Sequence, residues 1–211
     1  MQKSKLAQTA ILGALLLGNT GLSFASSAKD QTSEHYRHPM ASDLAKRDKN
    51  IHWPDGFSPK EADLFAHNEI NVDASCAVVW EHIVAAQDWQ RWYPNASLVK
   101  LPAGASKLES SSVFQWRTFG FDIESKIVEF EPRKRMGWFG YVPGKAPNFY
   151  HTWYLVPEGS GCRVVTEEVG KGADAQKFRE MDESTLHRGH ALWLEDLKWV
   201  SETPAVVTGL H

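Results

Sequence analysis

One amphipathic stretch near the C-terminus limits the fold more than any other feature. In Ser184 to Val200, STLHRGHALWLEDLKWV, the residues Leu186, His190, Trp193, Leu197 and Val200 recur at spacings of four, three, four and three. That period places them on one face of an α-helix, with Arg188, Glu195, Lys198 and Glu202 elsewhere. Such a face needs a cover, and Pro204 stops the helix soon afterwards. Almost everything between Asn68 and Val169 reads as strand, so the expected cover is a sheet.

The first 25 residues have a different character. Lys3 and Lys5, the apolar run Ala10 to Leu17 and the small-x-small tripeptide Ser23-Phe24-Ala25 follow the order of a secretory signal. The run falls short of the ~20 residues that span a bilayer, so no stable membrane insertion is expected after cleavage. The expected product is an exported, periplasmic protein. Removing Lys3 and Lys5 leaves 21 of the 23 basic residues against 26 acidic ones, about five net negative charges, which argues against a nucleic-acid partner. Cys76 and Cys162 are the only cysteines, too few for a zinc site of their own.

Residues 26–66 are polar, broken by Pro39, Pro54 and Pro59, and read as an extended arm and linker whose apolar spots, Ile51 to Trp53 and Leu64-Phe65, dock on the domain. The domain is expected over 67–202, with a loose tail at 203–211. It opens with a short strand, Asn68 to Val72. A helix capped by Asp73 or Ser75 follows, its inner face filled by Val78, Val79, Ile83 and Val84 and its end near Ala86. The segment Asp88 to Asn95, DWQRWYPN, packs three aromatic residues into a stretch closed by a proline; it is either a plug beneath the sheet or a wall of a ligand pocket.

Two hairpins can be set in register from sequence. With Phe119-Gly120 at the turn, Arg117 faces Asp122, Gln115 faces Glu124 and Val113 faces Lys126, while the other face pairs Trp116 with Ile123 and Phe114 with Ser125. A slip of one residue would reverse every side chain, so the agreement of charges on one face and apolar groups on the other supports the register. With Gly159-Ser160 at the second turn, Leu155 faces Val164, Trp153 faces Thr166 and His151 faces Glu168, all expected to point inward. Between the hairpins, Met136 to Val142 is a strand of ambiguous parity: either Trp138 or Phe139 faces the core.

The order of elements and several segments resemble the START-like, polyketide cyclase/dehydrase-type superfamily often called SRPBCC. The matching stretches are HNEINVDASCAVVWEHI at 67–83, WQRWYPN at 89–95, IVEFEPRKRMGW at 127–138, HTWYLVPEGSGCRVVTEE at 151–168 and LEDLKWVSE at 194–202. The resemblance implies an α+β helix-grip fold, in which a curved antiparallel sheet of six or seven strands surrounds the C-terminal helix and leaves an internal cavity. It also implies that the first strand lies beside the last, bringing Cys76 towards Cys162. A disulfide there and two buried free thiols are the alternatives.

The function expected is the holding of an apolar or aromatic small molecule, such as a lipid, isoprenoid or polyketide-like compound, between sheet and helix. Ligand contacts are expected from Trp92, Tyr93, Phe114, Trp116, Ile123, Trp138, Trp153, Thr166 and Trp193, with His151, Glu168 and His190 orienting a polar group. A cyclase or dehydrase with His151 as general base, oriented by Glu168, is the enzymatic alternative. An envelope module that meets a protein partner through the 26–66 arm is a third. No cofactor or metal is expected.

Overall fold

The computed structural model describes residues 38–203; the expected signal at 1–25, the start of the arm and the end of the tail lie outside them. Seven antiparallel strands form one sheet in the order β1-β7-β6-β5-β4-β3-β2. They are β1 (Leu64–Val72), β2 (Ser97–Lys100), β3 (Val113–Thr118), β4 (Phe121–Glu131), β5 (Arg135–Tyr141), β6 (Phe149–Glu158) and β7 (Gly161–Gly170). The helices are α1 (Met40–Lys46), α2 (Cys76–Val84), α3 (Trp89–Trp92), α4 (Gly172–Asp182) and α5 (Thr185–Glu202). This is the α+β helix-grip arrangement.

Helix α5 buries Leu186, His190, Trp193, Leu197 and Val200, the face set by the sequence period, together with Leu194. Against it the sheet, α2 and α3 supply a core rich in rings, including Trp80, Trp89, Phe114, Trp138 and Trp153. Both hairpin registers agree with the sequence reading, residue for residue. At the first turn Phe119 and Gly120 have φ of 50° and 81°, the pair of positive values that a two-residue turn matched to strand twist requires. Parity in β5 resolves towards Trp138. Phe139 instead faces the other side, its ring 5.1 Å from both Phe57 and Tyr150.

Three local expectations change. The first strand begins at Leu64 rather than Asn68 and pairs along its whole length with β7. Helix α2 starts at Cys76 with Ser75 as its cap and ends at Val84, and Val78 is 41% exposed rather than on the inner face. The segment before β1 is folded rather than extended: α1 and the stretch after it place Met40, Leu44, Trp53 and Phe57 against Phe65 and Val169 on the outer face of the sheet. Its polar groups are tied down as well. The Asp48 backbone N–H donates to Glu167 Oε1 at 2.5 Å, and the same buried oxygen meets His67 Nδ1 at 2.7 Å.

Cys76 and Cys162 form a disulfide with their Cα atoms 4.9 Å apart. Val72 pairs with Cys162 across β1 and β7, so the start of α2, four residues later, is carried to the bridge by the sheet register. The bond lies at the end of β7 remote from Glu168.

Candidate functional site

Between the inner face of the sheet and α5 lies a cavity of about 390 Å3. Its walls are Trp116, Ile123 and Ser125 from the β3–β4 hairpin, Trp138 from β5, and Trp193 and Leu186 from α5. His151, Glu168 and His190 form its polar patch. Towards solvent it is rimmed by Phe119, Phe121, Phe178 and Met181, with Asp174 and Lys177 beside them. Met181 is 70% exposed and Phe121 50%, so the rim itself is apolar and open to water.

Of the residues expected to touch a ligand, Trp116, Ile123, Trp138, His151, Glu168, His190 and Trp193 line this cavity. Trp92, Tyr93, Phe114, Trp153 and Thr166 do not. Phe114, Trp153 and Thr166 point inward as expected, but they lie deeper, where helices already occupy the space. The filler is Trp89: fully buried, it donates its indole N–H to Ile83 O at 3.0 Å and sits 5.3 Å from Trp116 and 5.1 Å from Trp193, ring centre to ring centre. The aromatic segment before Pro94 is therefore the plug rather than the pocket wall. Tyr93 stacks on Trp193 at 4.6 Å and 3°, and its hydroxyl donates to Gly189 O at 3.2 Å. Trp92 is partly buried against the core.

The rim residues escaped the sequence reading, although one signal was present. Phe119 occupies a turn position with positive φ, where a bulky side chain is disfavoured, and Gly189 interrupts an otherwise good helix face. Each unfavourable choice explains the other. A Cβ on Gly189 would lie 2.2 Å from Phe119 Cζ, so the glycine is the seat of the ring. Asn95 Oδ1 accepts from Phe119 N at 2.8 Å and fixes the turn from below.

The polar patch is wired differently from the expected His151–Glu168 pair. The two residues are opposite one another in the β6–β7 ladder, but the Glu168 carboxylate accepts from His190 Nε2 at 2.9 Å. Strand register fixes only backbone neighbours; the helix above brings its imidazole into bonding distance. His151 is buried, stacks on Trp138 at 4.5 Å, and places Nε2 3.0 Å from Thr166 Oγ1. Thr166 donates its single hydroxyl proton to Thr152 O at 2.9 Å, and a carbonyl can only accept. Thr166 must then accept from His151, which puts the imidazole proton on Nε2 and leaves Nδ1 as a bare lone pair. Burial and the neighbouring His190 hold the His151 pKa well below its ordinary value, so the ring is neutral near pH 7. That is the reverse of the raised basicity expected for a general base at this position.

Residues 66–200 match the family described as polyketide cyclase / dehydrase and lipid transport. No curated protein matches the sequence. Among solved structures, a hypothetical protein of Helicobacter pylori is similar at 26% identity and a TM-score of 0.67, over 74% of this chain and 98% of that one. The ZhuI aromatase/cyclase of a Streptomyces species is similar in fold, with a TM-score of 0.52 at 14% identity over 65% of this chain and 93% of that one.

Proposed function

The chain belongs to the polyketide cyclase/dehydrase and lipid transport family, whose functions are of the ligand-binding or cyclase type, and from that premise we propose that it is an exported carrier of one apolar or aromatic molecule. The observation that carries this reading is the cavity of about 390 Å3, walled mainly by aromatic and aliphatic groups, with His151, Glu168 and His190 together on one wall. Its size falls within the ~300 to 1,000 Å3 usual for small-molecule sites. Each 100 Å2 of apolar ligand surface taken from water contributes roughly 2.5 kcal/mol, so a lipid, isoprenoid or polyketide-like body supplies the affinity and the polar patch fixes its orientation. Export is supported by the leader-like order of residues 1–25 and by the Cys76–Cys162 bridge, which persists in an oxidising compartment. Among the described residues no helix is long and apolar enough to cross a membrane.

A second reading rests on the bond between His190 Nε2 and Glu168 Oε2. A carboxylate that holds an imidazole in one orientation is an arrangement a general base can use, so a cyclase or dehydrase would use His190 with Glu168 rather than His151. One experiment separates the two. Native mass spectrometry of the chain isolated from an oxidising compartment, followed by denaturing extraction, should show an apolar adduct that is recovered unchanged after incubation with the protein. Recovery of the adduct with the mass of one water removed, by wild type and not by His190→Gln, would replace the carrier with the cyclase reading.

A further inference from the structure

Two clusters among the described residues bring three metal-ligating side chains together, and their geometries differ. In the first, His38, Asp43 and His187, the imidazoles are stacked 3.6 Å apart at 11°. Asp43 already satisfies both, with one oxygen 2.7 Å from His38 Nε2 and the other 3.1 Å from His187 Nδ1. Nitrogen lone pairs lie in the ring plane, so parallel rings direct theirs side by side rather than at one point. This cluster is complete as a clamp between α1 and α5.

The second cluster, His151, Glu168 and His190, has the opposite character. Its imidazoles are nearly perpendicular, at 82° with centres 5.0 Å apart, so their in-plane lone pairs can converge. One donor atom from each residue lies within 4.8 Å of the other two. The cluster is also underused. His151 Nδ1 and His190 Nδ1 are buried, and neither has a hydrogen-bond partner among the described residues. An unpaired buried nitrogen costs about 1 to 3 kcal/mol, and an ion on His151 Nδ1 removes that cost at this ring.

We infer that His151, Glu168 and His190 form a binding site for a divalent transition-metal ion of the zinc class, facing the cavity. Two imidazoles and a carboxylate are the donor set of three-ligand zinc sites that keep a fourth position for water or substrate, and here that position opens onto the cavity. Little movement is required. Two ligands about 2.05 Å from a tetrahedral ion lie ~3.3 Å apart, so the present 2.9 Å between His190 Nε2 and Glu168 Oε2 would widen by a few tenths of an ångström as the ion replaces the shared proton. Thr166, on His151 Nε2, is the kind of second partner that holds a ligating imidazole in one orientation. Metal binding does not depend on the carrier reading, and its failure would leave that reading standing.

The test uses the chain without a histidine tag, dialysed against a chelator, with Co2+ and then Zn2+ as probes. At about one equivalent, Co2+ should produce visible d–d absorption of the intensity of low-coordinate sites, bleached by Zn2+. Zn2+ should raise the melting temperature of the wild type. Glu168→Gln and His151→Gln should each weaken binding at least tenfold, while His38→Gln leaves it unchanged. A melt of each metal-free variant establishes that it is folded. Wild type that shows neither absorption nor a melting shift overturns the inference without recourse to any variant. Binding that survives Glu168→Gln, or that is lost with His38→Gln, overturns it by placing the ion elsewhere.

Discussion

Trp193→Ala should lower stability by about 3 to 5 kcal/mol and at the same time remove most of the affinity for an apolar ligand. The indole is buried at the meeting point of the plug, the sheet and the cavity. It stacks on Tyr93 at 4.6 Å and meets Trp89, Trp153 and Trp116 with ring centres 5.0 to 5.6 Å away. Deleting it leaves a void that rings on three sides cannot fill, because each is held by other contacts, and offset or edge-on aromatic pairs contribute beyond the area they bury. Trp153→Ala is the control. That residue packs edge-on against Trp193 below the cavity and does not line it, so its loss should cost comparable stability and change affinity only a few-fold. Urea unfolding gives the stability difference from the midpoint at constant slope. A Trp193→Ala protein within 1 kcal/mol of wild type would contradict the packing described here.

Removing the disulfide is expected to have the second large effect. Cys76 and Cys162 are separated by 86 residues, and closing a loop of that length restricts the unfolded chain by roughly 4 to 5 kcal/mol in the chain-entropy estimate, with about 2 to 5 kcal/mol the usual measured loss. For a chain of this size that corresponds to roughly 5 to 15 °C in melting temperature. The bridge joins α2 to the first residues of β7, whereas Glu168 and the cavity mouth belong to the other end of that strand. The Cys76→Ser, Cys162→Ser double variant should therefore melt early yet bind ligand normally below its transition. Equal melting of oxidised and reduced protein would contradict this account.

Much of the frame was legible because local rules agreed. The two hairpins carried complementary pairs that only one register satisfies, and α5 carried Leu186, His190, Trp193, Leu197 and Val200 at helical spacing. Where legibility failed, a second layer was at work. The parity of β5 was hidden because both of its faces are apolar: Trp138 faces the cavity, and Phe139 is covered by Phe57 from the segment before β1. That segment looked like a linker since its apolar residues are scattered and separated by prolines, a pattern with no period of its own but adequate to cover a sheet. The partner of Glu168 was hidden for a related reason. Alternation along strands names a cross-strand neighbour, His151, but says nothing of how far α5 is set above the sheet, and that distance gives the carboxylate to His190. The rim at Phe119 and Phe178 depends on a turn meeting two helices far along the chain, α4 at Phe178 and α5 at Gly189, which no local pattern encodes.

The measurement that tests the central claim most directly is a titration of the protein with phenylnaphthylamine, a neutral aromatic probe, comparing wild type with Ile123→Trp. Ile123 lines the cavity opposite α5 and is only partly buried, so a larger ring there can take up cavity space without disturbing the core. The account predicts saturable, one-to-one quenching of the wild-type tryptophan emission, since Trp116, Trp138 and Trp193 border the space the probe would enter. It predicts binding at least tenfold weaker in the variant, with melting temperature unchanged. A wild type that does not bind the probe, or a filled variant that binds it equally well, would show that the cavity is not a ligand site.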